Sequence, residues 1–169
     1  MAIILLRHAP LPIEFQKRFI GHSNIEIDLL LADISKLVEI KNTKFDMVYS
    51  SDLKRCTQTL DLINFEYEID SRLREVKFKE IFEQKTFDEI ESMDIFEDKY
   101  LDCMDAWHEF ICEESLVEYK NRGKSFLQDL PKDKNILICS HAGTIKMLYK
   151  LLTNNELLEV DCLESIIIS

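Results

Sequence analysis

Apolar residues in this chain gather in short uninterrupted runs that stop at polar groups, and between the runs they recur every three or four positions. The first run, Met1–Leu6, is rich in Ile and Leu, as suits a strand buried on both faces. It stops at Arg7-His8, and Pro10 and Pro12 then forbid immediate regular structure, so a loop follows. Leu29, Leu30, Ile34, Leu37 and Val38 lie at helical spacing and predict a helix within 28–40. FDMVYS (45–50) reads as a second strand. Leu53, Cys56, Leu60 and Ile63 predict the helix after it, with Ser51 or Asp52 as its N-cap. FEYEID (65–70) reads as a short third strand.

Beyond residue 80 the apolar positions Phe82, Ile90, Ile95, Phe96, Leu101, Trp107 and Phe110 predict a mainly helical segment. A further helix at about 114–129 ends before Pro131. NILICS (135–140) is another buried strand, Ile145, Leu148 and Leu152 mark a helix over 144–152, and CLESIIIS closes the chain as a last strand or hairpin. Strands alternating with helices predict an α/β sandwich around a mostly parallel sheet. With 169 residues and neither repeat nor linker, residues 1–169 are expected to form one domain.

Composition narrows the class. No apolar run approaches the roughly 18 residues of a membrane span. The N-terminal IILL is too short for a signal peptide and follows no basic stretch, so a cytoplasmic location is expected. Five cysteines form no CxxC pair, which argues against a disulfide framework or a zinc ribbon. The net charge of -11 argues against nucleic-acid binding, which needs basic surface. Most of that charge sits in residues 80–118, an acidic insert in a nearly neutral scaffold. Gly21, Gly123 and Gly143 are the only glycines, so neither a dinucleotide fingerprint nor a P-loop is present. HExxH and EF-hand patterns are absent as well, so neither metal nor cofactor is expected.

Three strands end in polar signals: Arg7-His8, Ser50-Ser51 leading to Arg55, and Ser140-His141. Ligands of open α/β sheets bind beyond the carboxyl ends of the strands, so these groups can converge on one crevice. Two histidines and two arginines there suit an anion, and phosphate matches the guanidinium fork. A neutral imidazole is a competent nucleophile towards phosphorus, and a partly buried carboxyl can protonate the leaving oxygen. His8 and Glu75 are the candidates for those two tasks. Each signal also has a plainer reading: Arg55 as a solvated first-turn residue, Glu75 as surface charge, and His22 and His108 as surface or core histidines. Trp107 and its aromatic neighbours read as core. The functional reading rests on the agreement of separate signals.

Taken together, these segments resemble the histidine phosphatase superfamily, the phosphoglycerate mutase-like proteins. LLRHAP resembles the strand-ending Arg-His-Gly motif, with Ala9 for the usual glycine, and RFIGHSNIEID resembles the loop that follows. VYSSDLKRCTQTL resembles the Ser-x-x-x-Arg-x-x-x-Thr segment with Arg55 and Thr59. LREV resembles the Leu-x-Glu segment with Glu75, EESLVEYKNR the Glu-Ser…Arg segment, and ICSHAGTIK the Ser-His-Gly-Gly segment. The resemblance implies a three-layer α/β/α sandwich with a mixed sheet of about six strands, lacking metal and cofactor, and places the acidic 80–118 insert over the active site. It implies His8 as the phosphorylated nucleophile, Arg7, Arg55 and His141 as the phosphate grip, and Glu75 as proton donor and then base. Gly21 and Ala142 would also border the substrate. KFKEIFE departs from the family, with Lys79 and Glu83 where glycines are usual; Glu113 likewise stands where a small residue is common.

The short chain and acidic insert favour hydrolysis over a mutase reaction on a doubly anionic sugar acid. The expected partner is a small phosphate ester. Among phosphatases the loop most resembles the α-ribazole phosphatase branch. A phosphohistidine or phosphoprotein phosphatase is the runner-up, and a binding protein without turnover is the alternative of another class. Oligomeric state cannot be read from this sequence.

Overall fold

The computed structural model describes residues 2–168; Met1 and Ser169, at the outer ends of the first and last strand readings, lie outside the described residues. Five strands form one sheet in the order β3-β2-β4-β1-β5. They are β1 (Ile3–Arg7), β2 (Met47–Ser50), β3 (Glu68–Ile69), β4 (Ile136–Ser140) and β5 (Ser165–Ile168). The pairs β1·β4, β2·β4 and β2·β3 are parallel, and β5 alone runs antiparallel, along the edge of β1. The sheet is thus mixed and mostly parallel as expected, with five strands rather than six.

Alternation along the central strands explains their uninterrupted apolar sequences. Ile3, Leu5, Ile136 and Ile138 pack into one core, while Ile4, Leu6, Leu137 and Cys139 pack into another on the opposite face. The second core is closed by α1 (Val38–Asn42) and α2 (Lys54–Asp61), through Ile40, Cys56 and Leu60. The first is closed by α3 (Phe87–Glu91), α4 (Met104–Ile111), α5 (Leu116–Asp129) and α6 (Ala142–Thr153). Helices therefore cover both faces, giving the three-layer α/β/α sandwich. Ser115 starts α5 with a reciprocal capping box to Glu118, as the Ser-x-x-Glu spacing dictates. Among the described residues no helix is long and apolar enough to cross a membrane.

Three expectations differ in detail. Residues 28–40 form no single helix, only a 3-10 turn (Ile34–Leu37) running into α1. Leu30 is 96% exposed and Leu29 and Ile34 are also exposed, leaving Leu37 and Ile40 to face the core. The carboxylates of Asp28 and Asp33 take the backbone N–H groups two residues on, which offers this stretch turns in place of helix. Neither Ser51 nor Asp52 caps α2, whose N-cap is Leu53. The Ser51 hydroxyl faces His141 and the Asp52 carboxylate is taken by Arg74. The acidic segment is divided into α3, a 3-10 turn at Asp98–Leu101 and α4. Trp107 packs among Phe19, Phe87 and Phe110, in keeping with its core reading.

Candidate active site

Because β1, β2 and β4 are adjacent and parallel, their carboxyl ends deliver His8, the Ser51–Arg55 turn and His141 to one place. The rings of His8 and His141 lie 5.3 Å apart between centroids. Arg7, His8, Arg55, Glu75, His141 and Ala142 all line one cavity of about 790 Å³. Sequence positions separated by more than a hundred residues thus meet as expected. Gly21 does not line the cavity; its carbonyl accepts from Arg55 Nη2 at 2.7 Å.

His8 is buried, and the Nδ1–H donates to the carbonyl of Ala9 at 2.7 Å. A carbonyl only accepts, so the neutral ring carries its lone pair on Nε2. Burial first, then the charges of Arg55 and Arg7, hold this imidazole well below the usual histidine range and therefore neutral near pH 7. The Ala9 peptide is pinned from its other side by Thr59, whose Oγ1 accepts from Ala9 N at 2.8 Å and donates to Arg55 O at 2.6 Å. Ala9 has no left-handed φ, so alanine stands here without strain where the family uses glycine.

Arg55 is 1% exposed and, among the described residues, meets no carboxylate directly. Its Nε donates to His141 Nδ1 at 2.9 Å, its Nη1 to Ser23 O at 2.8 Å and its Nη2 to Gly21 O. Guanidinium only donates, so neutral His141 carries its proton on Nε2, which donates to Ser51 Oγ at 2.9 Å. Burial, Arg55 and His8 also hold His141 well below the usual range. Arg7 Nη1 donates to Val160 O at 2.6 Å. Its Nε is buried and, among the described residues, has no acceptor, an arrangement that an anion's oxygen would complete.

Glu75 is held as closely as the histidines. Its Oε1 accepts from Val76 N at 3.0 Å and from the Tyr119 hydroxyl at 3.2 Å, and its Oε2 accepts from Gly143 N at 2.9 Å. A Cβ on Gly143 would stand 2.5 Å from Glu75 Oε1, so the close approach requires glycine. Arg122 joins Glu114 in a two-point ion pair and donates to the carbonyls of Arg74 and Glu75, fixing the backbone behind the carboxyl. His22 also hydrogen-bonds to Glu75 O, at 3.0 Å, so it is part of this wall rather than a free surface group.

The acidic insert sends no residue of 80–118 to the lining of this cavity. It packs behind the 18–23 loop, where Arg18 pairs with Glu89 and Glu83 Oε1 accepts from the N–H groups of Gly21 and Ser23, each at 3.0 Å. Nor do Lys79 and Glu83 occupy backbone that favours glycine. The nearest left-handed residue is Gln84, with φ 64°, just past that stretch. Sequence reasoning missed Gly143, Tyr119, Thr144 and Glu83 as site-building residues. Gly143 alone carried a signal, as one of only three glycines and two positions from His141.

Comparison with known proteins agrees with this geometry. A family model described as Histidine phosphatase superfamily (branch 1) matches residues 3–165. No curated protein sequence matches the chain. Among solved structures, the mycobacterial glucosyl-3-phosphoglycerate phosphatase Rv2419c is similar at TM-score 0.78 and 18% identity, covering 98% of this chain and 88% of that one. A phosphoglycerate mutase from Thermus thermophilus is similar at 0.73 and 19%, covering 99% and 92%. TTHB049 from the same organism is similar at 0.74 and 19%, covering 99% and 93%. At these identities the structures speak for the fold, while the family match spans nearly the whole sequence. The chain belongs to the histidine phosphatase superfamily, branch 1.

Proposed function

We propose that this protein is a phosphatase that hydrolyses a small phosphate monoester without a metal ion, through a phosphohistidine at His8. The observation that carries the reading is the state of His8: a neutral imidazole with Nδ1–H committed to Ala9 O and the Nε2 lone pair left for attack, beside Arg7 and Arg55. In the first step the Nε2–P bond forms as the ester P–O bond breaks, and its electron pair leaves on the ester oxygen. Glu75 gives that oxygen a proton. In the second step Glu75 takes a proton from water, the water oxygen attacks phosphorus, and the P–N bond breaks to return neutral His8. Arg7 Nε and the remaining N–H groups of Arg55 face the equatorial oxygens, where charge is spread in flight. His141, tied to Arg55 and Ser51, fixes the guanidinium that does this.

The lining also bears on hydrolysis against a mutase reaction. Beyond Arg7 and Arg55 it offers Lys17, Arg18 and Lys36 against Asp33 and Asp161, and Arg18 is already paired with Glu89. That leaves no surplus positive charge to hold the second anionic group of a phosphorylated sugar acid. The balance favours a substrate with one phosphate, and α-ribazole 5′-phosphate and phosphohistidine peptides belong in the first screen. The test is phosphate release from p-nitrophenyl phosphate. Activity in the wild type and none in His8→Ala supports turnover; the same background in both leaves a binding protein and overturns the enzyme.

A further inference from the structure

The candidate proton donor is held by a buried pair of hydroxyls from two helices. The Tyr119 phenol, on α5, lies 3.2 Å from Glu75 Oε1 and 3.0 Å from Thr144 Oγ1, on α6. The Thr144 hydroxyl has two acceptors for its one proton, Arg74 O at 2.7 Å and Glu75 Oε1 at 3.4 Å; the far shorter contact to Arg74 O takes it, so towards Tyr119 the hydroxyl accepts. One phenolic proton therefore has two acceptors within reach, a carboxyl oxygen and a neutral hydroxyl. Burial, reinforced by the charge of Glu75, pushes the Tyr119 phenol well above its usual range, so it stays a donor throughout. The Arg122 guanidinium packs over the Tyr119 ring, 4.6 Å from its centroid. Glu75 Oε2, by contrast, has Gly143 N as its one protein donor among the described residues, and is the oxygen left to exchange a proton with substrate.

We propose that Tyr119 is a positioning residue whose phenolic proton follows the charge of Glu75: it points to Thr144 Oγ1 while Glu75 is protonated and turns to Glu75 Oε1 as the carboxylate forms. The inference rests on Glu75 acting as acid and base. As the ester P–O bond breaks and the Nε2–P bond forms, the Oε2 proton moves to the leaving oxygen. The negative charge that appears on the carboxyl gains a hydrogen bond that the protonated form lacked. Such a bond helps the transition state more than the ground state, and that difference is what accelerates a step. No proton is exchanged between Tyr119 and Glu75, since the phenol only rotates.

The experiment compares Tyr119→Phe with wild type on two monoesters. p-Nitrophenolate departs without a proton, whereas an alkoxide such as that from glycerol 2-phosphate requires one. kcat/KM reports the steps up to release of the alcohol, so the second step does not blur the comparison. The expected result is a loss of about tenfold in kcat/KM for the alkyl ester, the scale of a hydrogen bond to a charged group. For the nitrophenyl ester the change stays within about twofold. Equal losses on both esters, the mark of a merely structural role, overturn the proposal, and so does an undiminished alkyl activity. A wild type inert towards both esters overturns the phosphatase reading itself, and the role of Tyr119 with it.

Discussion

Arg55→Lys keeps the charge of the phosphate grip and removes its geometry. In the wild type the guanidinium serves three buried acceptors at once, His141 Nδ1, Ser23 O and Gly21 O, at 2.9, 2.8 and 2.7 Å. Those acceptors lie around a planar fork. An ammonium on a flexible stem has three donors but presents them from one nitrogen, and it reaches one of these sites well. Two acceptors then lose their donors. A buried polar group without a partner costs about 1–3 kcal/mol, so the variant is destabilised by about 2–4 kcal/mol once water from the cavity relieves part of the loss. For a chain of this size that lowers Tm by roughly 5–15 °C, at 2–4 °C per kcal/mol. Activity falls further than stability, on the order of a hundredfold. The bidentate phosphate contact is lost, and His141 no longer has the donor that sets its tautomer. Thermal unfolding by circular dichroism at pH 7.5 and steady-state hydrolysis of p-nitrophenyl phosphate check both. A Tm within 2 °C of wild type with activity within about threefold would refute the three-acceptor account of Arg55.

Two further outcomes follow from the same contacts. Gly143→Ala places a Cβ 2.5 Å from Glu75 Oε1, so the carboxyl moves by about 1 Å, and kcat/KM for an alkyl ester falls on the order of a hundredfold; a loss under threefold contradicts the assigned position of Glu75. Folding stability decreases on mild acidification, because His8 and His141 titrate below their usual range in the folded protein and near 6.5 when unfolded. Below about pH 6.5 the unfolded chain binds protons that the folded one refuses. Stability then falls as pH falls, by up to about 1.4 kcal/mol per pH unit for each histidine, until the folded-state values are reached. Urea midpoints at pH 7.5 and 5.5 check this, and an equal or higher midpoint at pH 5.5 contradicts it.

What the sequence revealed was chiefly what is local or tied to strand ends. Ile3–Leu6 and Ile136–Cys139 must be strands buried on both faces, because only that uses consecutive apolar residues in alternating directions. Their carboxyl ends then had to bring His8 and His141 together. The 28–40 stretch misled because leucines at helical spacing do not reveal whether an aspartate will take the backbone N–H first. Net charge left the packing of the insert open for a related reason. Charge counts say how acidic a segment is, whereas the direction it packs is set by Phe82, Ile90 and Phe110 in the core and by Glu83 on the loop. Tyr119 and Thr144 left no trace, since one helical tyrosine and one helical threonine look like any others until α5 and α6 meet over Glu75.

The central claim is that phosphorus is bonded to His8 Nε2 during turnover. It is tested most directly by quenching the protein with a ³²P-labelled monoester at early times and mapping the label. The account predicts label on the peptide carrying His8, stable to alkali and lost in mild acid as a phosphoramidate is, and absent from His8→Ala. Label that persists in His8→Ala, or hydrolysis by wild type with no acid-labile label at any early time, would contradict it.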